Sequence, residues 1–150
     1  MKRISKASSP EIDLPNFKKN NLLSVGSHLG LQYVVQHNNL GYRCGYVRIP
    51  KQHPWFDKNN YEEIDVDCHG GLTYSDYTKD KKALWIGFDC GHAGDLVDER
   101  LLDDSDPERK NFARAMARLA AGYETIKDTE YVEKECKRIC KQASKAVKGD

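Results

Sequence analysis

Hydrophobic positions along this chain follow two periods, and the change between them divides it into a strand-rich first part and a helical end. From Leu29 the pattern alternates: Leu31, Tyr33 and Val35 fall on one side of an extended segment, and Gln32, Val34 and Gln36 on the other. Asn38-Asn39-Leu40-Gly41 supplies turn residues, and residues 42–49, rich in aromatic and β-branched side chains, read as the returning strand, which Pro50 ends. After a loop containing His53-Pro54-Trp55-Phe56, residues 63–68 read as a further strand. Ile64, Val66 and Cys68 lie on one face of it, with Asp65, Asp67 and His69 on the other. Gly70-Gly71 turns the chain, and Leu72-Thr73-Tyr74 continues the strand pattern. After a charged connection, residues 83–90 form the most apolar segment, predicted as a central strand with Leu84, Ile86, Phe88 and Cys90 on one face.

Beyond Asp95 the period lengthens. Asp106-Pro107-Glu108 has the chemistry of a helix start: a capping acid, proline at the first helical position and an acid in the first turn. Phe112, Met116, Leu119 and Tyr123 then mark one apolar face, with Gly122 as the expected end. A last helix begins near Asp128, with Val132, Cys136, Ile139, Cys140, Ala143, Ala146 and Val147 as its stripe. Residues 1–20, polar and Lys-rich, read as a flexible basic arm, and residues 21–150 as a single α+β domain. The expected architecture is a small, mainly antiparallel β-sheet packed with one or two α-helices, one of them C-terminal.

Composition narrows the function classes. A chain of 150 residues suits one hydrophobic core. Its formal net charge of +1 predicts neither strong general nucleic-acid binding nor attraction to anionic membranes. No apolar run approaches the roughly 18 residues that span a bilayer, and the basic N-terminus lacks the apolar stretch of a secretory signal, so the expectation is a cytoplasmic protein. Five cysteines, an odd number, point to free thiols or metal ligands and not to a disulfide framework. Most of the aromatics read as cross-strand pairs or core, with a tyrosine-walled pocket that stacks on a base as the alternative.

Candidate chemistry concentrates in two glycine-flanked segments. Asp65, Asp67 and His69 share a strand face, where carboxylates repel unless exposed, paired with arginine or sharing a cation. Asp89, His92 and Asp95 surround the turn allowed by Gly91 and Gly94. If the segments are neighbours, these six residues are the metal-ligand set: carboxylates with neutral imidazoles suit Zn, Mn or Fe, and oxygen-rich subsets suit Mg. His69, Asp67 and His92 are the candidate catalytic groups, and Gly70, Gly71, Tyr74 and Arg43 the candidate ligand-binding ones. The bland alternative is a set of side chains that cap turns. Other readings compete: a Cys68-His69-Cys90-His92 zinc site, a thiol nucleophile at Cys68 or Cys90, and simple core packing for Cys136 and Cys140. His28, His37 and His53 read as surface or loop histidines.

Gly41-Tyr42-Arg43-Cys44-Gly45-Tyr46-Val47, His53-Pro54, the run Ile64-Asp65-Val66-Asp67-Cys68-His69-Gly70-Gly71-Leu72-Thr73-Tyr74-Ser75 and the run Trp85-Ile86-Gly87-Phe88-Asp89-Cys90-Gly91-His92-Ala93-Gly94-Asp95 resemble a family of small phage- and prophage-encoded proteins, as does Glu130-Tyr131-Val132-Glu133-Lys134-Glu135-Cys136. The resemblance implies an accessory protein acting in the host-cell cytoplasm. Two functions are then expected. In one, the Asp/His pocket binds a metal or a small phosphorylated or nucleotide-like ligand, with metal-assisted hydrolysis as its chemistry. In the other, a non-enzymatic anti-defence protein binds a host defence protein or sequesters a signal molecule.

Overall fold

The computed structural model describes residues 11–120 and 122–148. Five strands, β1 (Leu22–His28), β2 (Leu31–His37), β3 (Arg43–Pro50), β4 (Tyr74–Tyr77) and β5 (Ala83–Asp89), form one antiparallel sheet in the order β1-β2-β3-β5-β4. Two helices follow, α1 (Pro107–Leu119) and α2 (Thr129–Val147). The α+β architecture expected from the hydrophobic pattern is the one observed. No helix among the described residues is long and apolar enough to cross a membrane.

α2 crosses one face of the sheet and carries its side of the core. Asp128 caps it, accepting the Tyr131 N–H at 2.9 Å, and Val132, Cys136, Ile139, Cys140 and Ala143 are buried, as their spacing requires. They pack on Tyr33, Val35, Val47, Leu84, Ile86 and Phe88. Gly45 permits the close approach: a Cβ there would lie 2.6 Å from the Phe88 ring and 2.8 Å from Cys136 Sγ.

Three elements depart from expectation. β1 begins seven residues before the first alternating segment, and a register shift between Leu22 and Ser24 breaks its period, which hides it from a period-two reading. Residues 63–68 do not join the sheet. A short 3-10 turn (Tyr61–Glu63) capped by Asn60 is followed by irregular chain whose polar backbone groups are met by α2. Gln142 accepts from the Asp67 N–H and donates to its carbonyl, both at 2.8 Å, and Glu135 accepts from the His69 N–H at 2.8 Å. The alternation still sorts side chains, burying Ile64 and Cys68 and exposing Asp65 and Asp67. α1 ends at Leu119, before Gly122, and its apolar face meets no core: Phe112 is 66% exposed and Leu119 78%.

Much of the expected arm is part of the fold. Leu14 is buried with Val34 and Trp85 on the sheet face opposite α2, with Ile12 and Phe17 beside it. Asp13 accepts from Trp85 Nε1 at 2.9 Å and from Arg48 at 2.9–3.2 Å. Residues 1–10, the rest of that arm, lie outside the described residues.

Candidate metal centre

The turn after β5 is built by its own carboxylates. Asp89 Oδ1 accepts the Gly91 N–H at 3.0 Å, and Asp95 Oδ2 accepts the His92 N–H at 3.0 Å. Residues 94–96 then pair with Thr125 through two backbone hydrogen bonds of 2.9 Å, which brings the chain entering α2 alongside. The loop at 64–70, held on α2 as described, delivers His69 from the other side. Its ring lies between Asp95 Oδ2, 2.8 Å from Nε2, and the Tyr131 hydroxyl, 2.8 Å from Nδ1.

His69, His92 and Asp95 therefore converge, each offering one donor atom within 4.8 Å of the others. His92 Nδ1 lies 3.8 Å from Asp95 Oδ2 and 3.6 Å from Asp89 Oδ1. It is shielded from solvent and has no hydrogen-bond partner. A tetrahedral zinc with ligands near 2.0–2.1 Å has donor–donor edges of roughly 3.4 Å, so separations of 2.8 and 3.8 Å bracket such a site. Gly70 is required for this packing. Its φ is +69°, and a Cβ would sit 2.5 Å from His92 Cε1.

The electrostatics hold Asp95 as a carboxylate. Burial pushes its pKa up, but hydrogen bonds from His69, the His92 N–H and Lys127 outweigh burial and leave it below the usual carboxylate range. Lys127 Nζ lies 3.0 Å from Asp95 Oδ1. This ion pair is the partner of the buried Oδ1. The ammonium directs its hydrogens at the Gly94 carbonyl, at 3.2 Å, and at Thr125. Because Asp95 only accepts, His69 carries its proton on Nε2, and Nδ1 accepts from the Tyr131 hydroxyl. Burial raises the Tyr131 pKa and keeps that hydroxyl a donor. Moving the ring proton to Nδ1, with Tyr131 oxygen accepting it, would free Nε2 for a metal and keep the ring oriented.

The other expected residues stand apart. Asp65 is exposed, and Asp67 faces solvent in an ion pair with Arg138. Asp89 borders the cluster and accepts from Thr73 Oγ1 at 3.1 Å. Gly71 continues the Gly70 turn at φ +79°. Tyr74 lies on the opposite sheet face, edge-on to Tyr46 at 5.3 Å. Arg43 is buried and committed elsewhere, with Asp98 Oδ2 at 3.0 Å and Thr129 Oγ1 at 3.0 Å. Burial would raise the Asp98 pKa, but Arg100 and Arg43 hold it below the usual range.

All five thiols are free and buried. Burial pushes Cys68 and Cys90 up to about 12, which disfavours a thiolate nucleophile. Both thiols pack in the core beneath α2, so the Cys68-His69-Cys90-His92 zinc combination is not assembled. His53, read as a surface or loop histidine, lies in the loop after β3 but is buried, and it bonds the Ala143 carbonyl at 2.9 Å. Two participants, Lys127 and Tyr131, escaped sequence reading. Asp128 as the cap of α2 places Tyr131 in its first turn and Lys127 just before it. Comparison with protein-family models, curated proteins and solved structures found no match.

Proposed function

We propose that this chain is a metal-dependent binding protein in which His69, His92 and Asp95 hold one divalent transition-metal ion and leave a coordination position open. One observation carries the reading: His92 Nδ1, buried and without a hydrogen-bond partner, faces two carboxylates across gaps of 3.6 and 3.8 Å. A buried ring nitrogen so placed, bonded to neither acid, is costly unless something bridges it to them. Two imidazoles and one carboxylate favour zinc over magnesium, with the more oxygen-seeking manganese as the contrasting probe. The open position suits a phosphoryl oxygen of a small phosphorylated or nucleotide-like ligand. An ion held there would supply Lewis-acid polarisation of that oxygen, and Asp89, bordering the cluster, would take the proton of an attacking water and return it to the oxygen that leaves as the phosphoester bond breaks. The phage-family resemblance supports a setting in a host-cell cytoplasm.

The test is zinc and manganese titration of metal-stripped protein by calorimetry, with elemental analysis of the purified sample. One equivalent should bind to the wild type and be lost in His92→Ala at unchanged melting temperature. Binding that is absent, or unchanged in His92→Ala, overturns the reading. A panel of phosphate esters then separates binding from turnover.

One feature favours the non-enzymatic rival. Phe112, Met116 and Leu119 form an exposed apolar stripe on α1, a surface that suits a protein partner such as a host defence protein. Capture of one discrete host protein, lost on Phe112→Ser/Leu119→Ser, would support it. Intact capture by that variant would remove its basis.

A further inference from the structure

The formal net charge of +1 conceals a separation of charge. Along α2 and its C-cap, Lys134, Lys137, Arg138, Lys141, Lys145 and Lys148 are all exposed, and Glu135 is the one acid between the first and the last of them. At 100° and 1.5 Å per residue the six fall within an arc of about 100° and extend over roughly 21 Å. The opposite side of α2 is its buried stripe, so packing on the sheet fixes this row outward. The acids beside it are already taken. Glu130 pairs with Lys134 at 3.5 Å, and Glu135 and Asp67 both pair with Arg138. Lys137, Lys141, Lys145 and Lys148 have no ion pair among the described residues. Like charges four residues apart, as at Lys137, Lys141 and Lys145, repel one another on a helix, and a facing row of anions relieves that repulsion.

We propose that this face of α2 docks on the phosphate backbone of double-helical DNA without reading its sequence. A straight row of cations is matched by a straight polyanion, and duplex DNA carries one charge per about 1.7 Å of its axis. Lysine is a point charge with rotatable donors, which suits phosphate oxygens. No aromatic side chain lies in the row for unpaired bases to stack on, which favours a duplex over a single strand. The side chains best able to read base edges are committed to the loop at 64–70: Arg138 to Asp67, and Gln142 to the Asp67 backbone. A lipid surface fits less well. The apolar side chains of α2 are buried in the core, with Val147 the exposed exception, so the helix has no apolar face to insert.

The experiment follows the fluorescence anisotropy of two labelled duplexes of unrelated sequence, and of one of their single strands, as the full chain is added. EDTA is present, so that no ion at the His/Asp cluster takes part. Both duplexes should bind, within about twofold of each other and more tightly than the single strand. Across a potassium chloride series the logarithm of the binding constant should fall against that of salt with a slope of roughly −3.6, as four phosphate contacts require. Lys141→Gln/Lys145→Gln should make that slope shallower by roughly 1.8 and weaken binding at low salt by about tenfold or more. Glutamine is a good helix former, so the fold stands. Lys79→Gln/Lys82→Gln, in the turn between β4 and β5, removes the same charge and should bind within about twofold of the wild type. Failure of the duplexes to bind, a tighter grip on the single strand, or equal loss in the two double variants overturns the proposal. Sedimentation with phosphatidylserine vesicles without duplex binding overturns it in favour of a lipid surface.

Discussion

At the scale of single residues, Gly70 and His53 make the sharpest demands. Gly70 combines a left-handed backbone with a Cβ position that collides with the His92 ring. Gly70→Ala should cost roughly 1–3 kcal/mol of stability in urea unfolding. It should also weaken zinc binding more than it weakens the fold, because the strain falls on a ligand. His53 is constrained at both nitrogens: Nε2 bonds the Ala143 carbonyl, and Nδ1 accepts the Trp55 N–H at 2.9 Å. A second proton would have to displace that N–H, and burial holds the pKa below 6.5. The unfolded chain therefore takes up the proton more readily than the folded one. The stability contributed by neutral His53 is complete above its unfolded value of 6.5 and is lost as pH falls towards the depressed folded value. Urea midpoints should drop between about pH 7.5 and about pH 5, and His53→Gln should flatten that drop.

At the scale of elements, the two helices should respond in opposite ways. Ile139 is fully buried beneath the sheet, and Ile139→Ala should cost about 2–5 kcal/mol. Phe112→Ser/Leu119→Ser on the exposed face of α1 should stay within roughly 0.5 kcal/mol per site. Denaturant melts of the two variants side by side decide it. The same contrast explains what the sequence made legible. The period of α2 identified its buried stripe because a helix that covers a sheet must bury one face. An equally regular stripe on α1 was no guide to burial, since periodicity reports a face and not what covers it. Residues 63–68 alternate like a strand and sort their side chains like one, yet their backbone partners are Gln142 and Glu135, residues far along the chain that no local pattern announces. The candidate cluster follows the same rule. His69, His92 and Asp95 were visible as glycine-flanked polar residues, whereas Asp65 and Asp67 failed because the face they occupy points to solvent. Lys127 and Tyr131 arrive only through the Thr125 pairing and the cap of α2.

At the scale of the molecule, the sheet is covered on both faces, by α2 on one and by residues 11–17 on the other. Removing the chain through Phe17 should uncover Trp85 and Val34, both fully buried in the intact protein. The expected signs are red-shifted tryptophan emission and binding of an apolar dye, with the helical signal of α2 kept. This two-sided cover also sorts the thiols. Cys68, Cys90, Cys136 and Cys140 lie in the core under α2, whereas Cys44 faces the side that the N-terminal segment shields. A thiol reagent applied to the native protein thus becomes a pair of clocks. One sulfur should be labelled at the rate at which the leading segment lifts, and the other four should follow together, only as often as the whole chain opens.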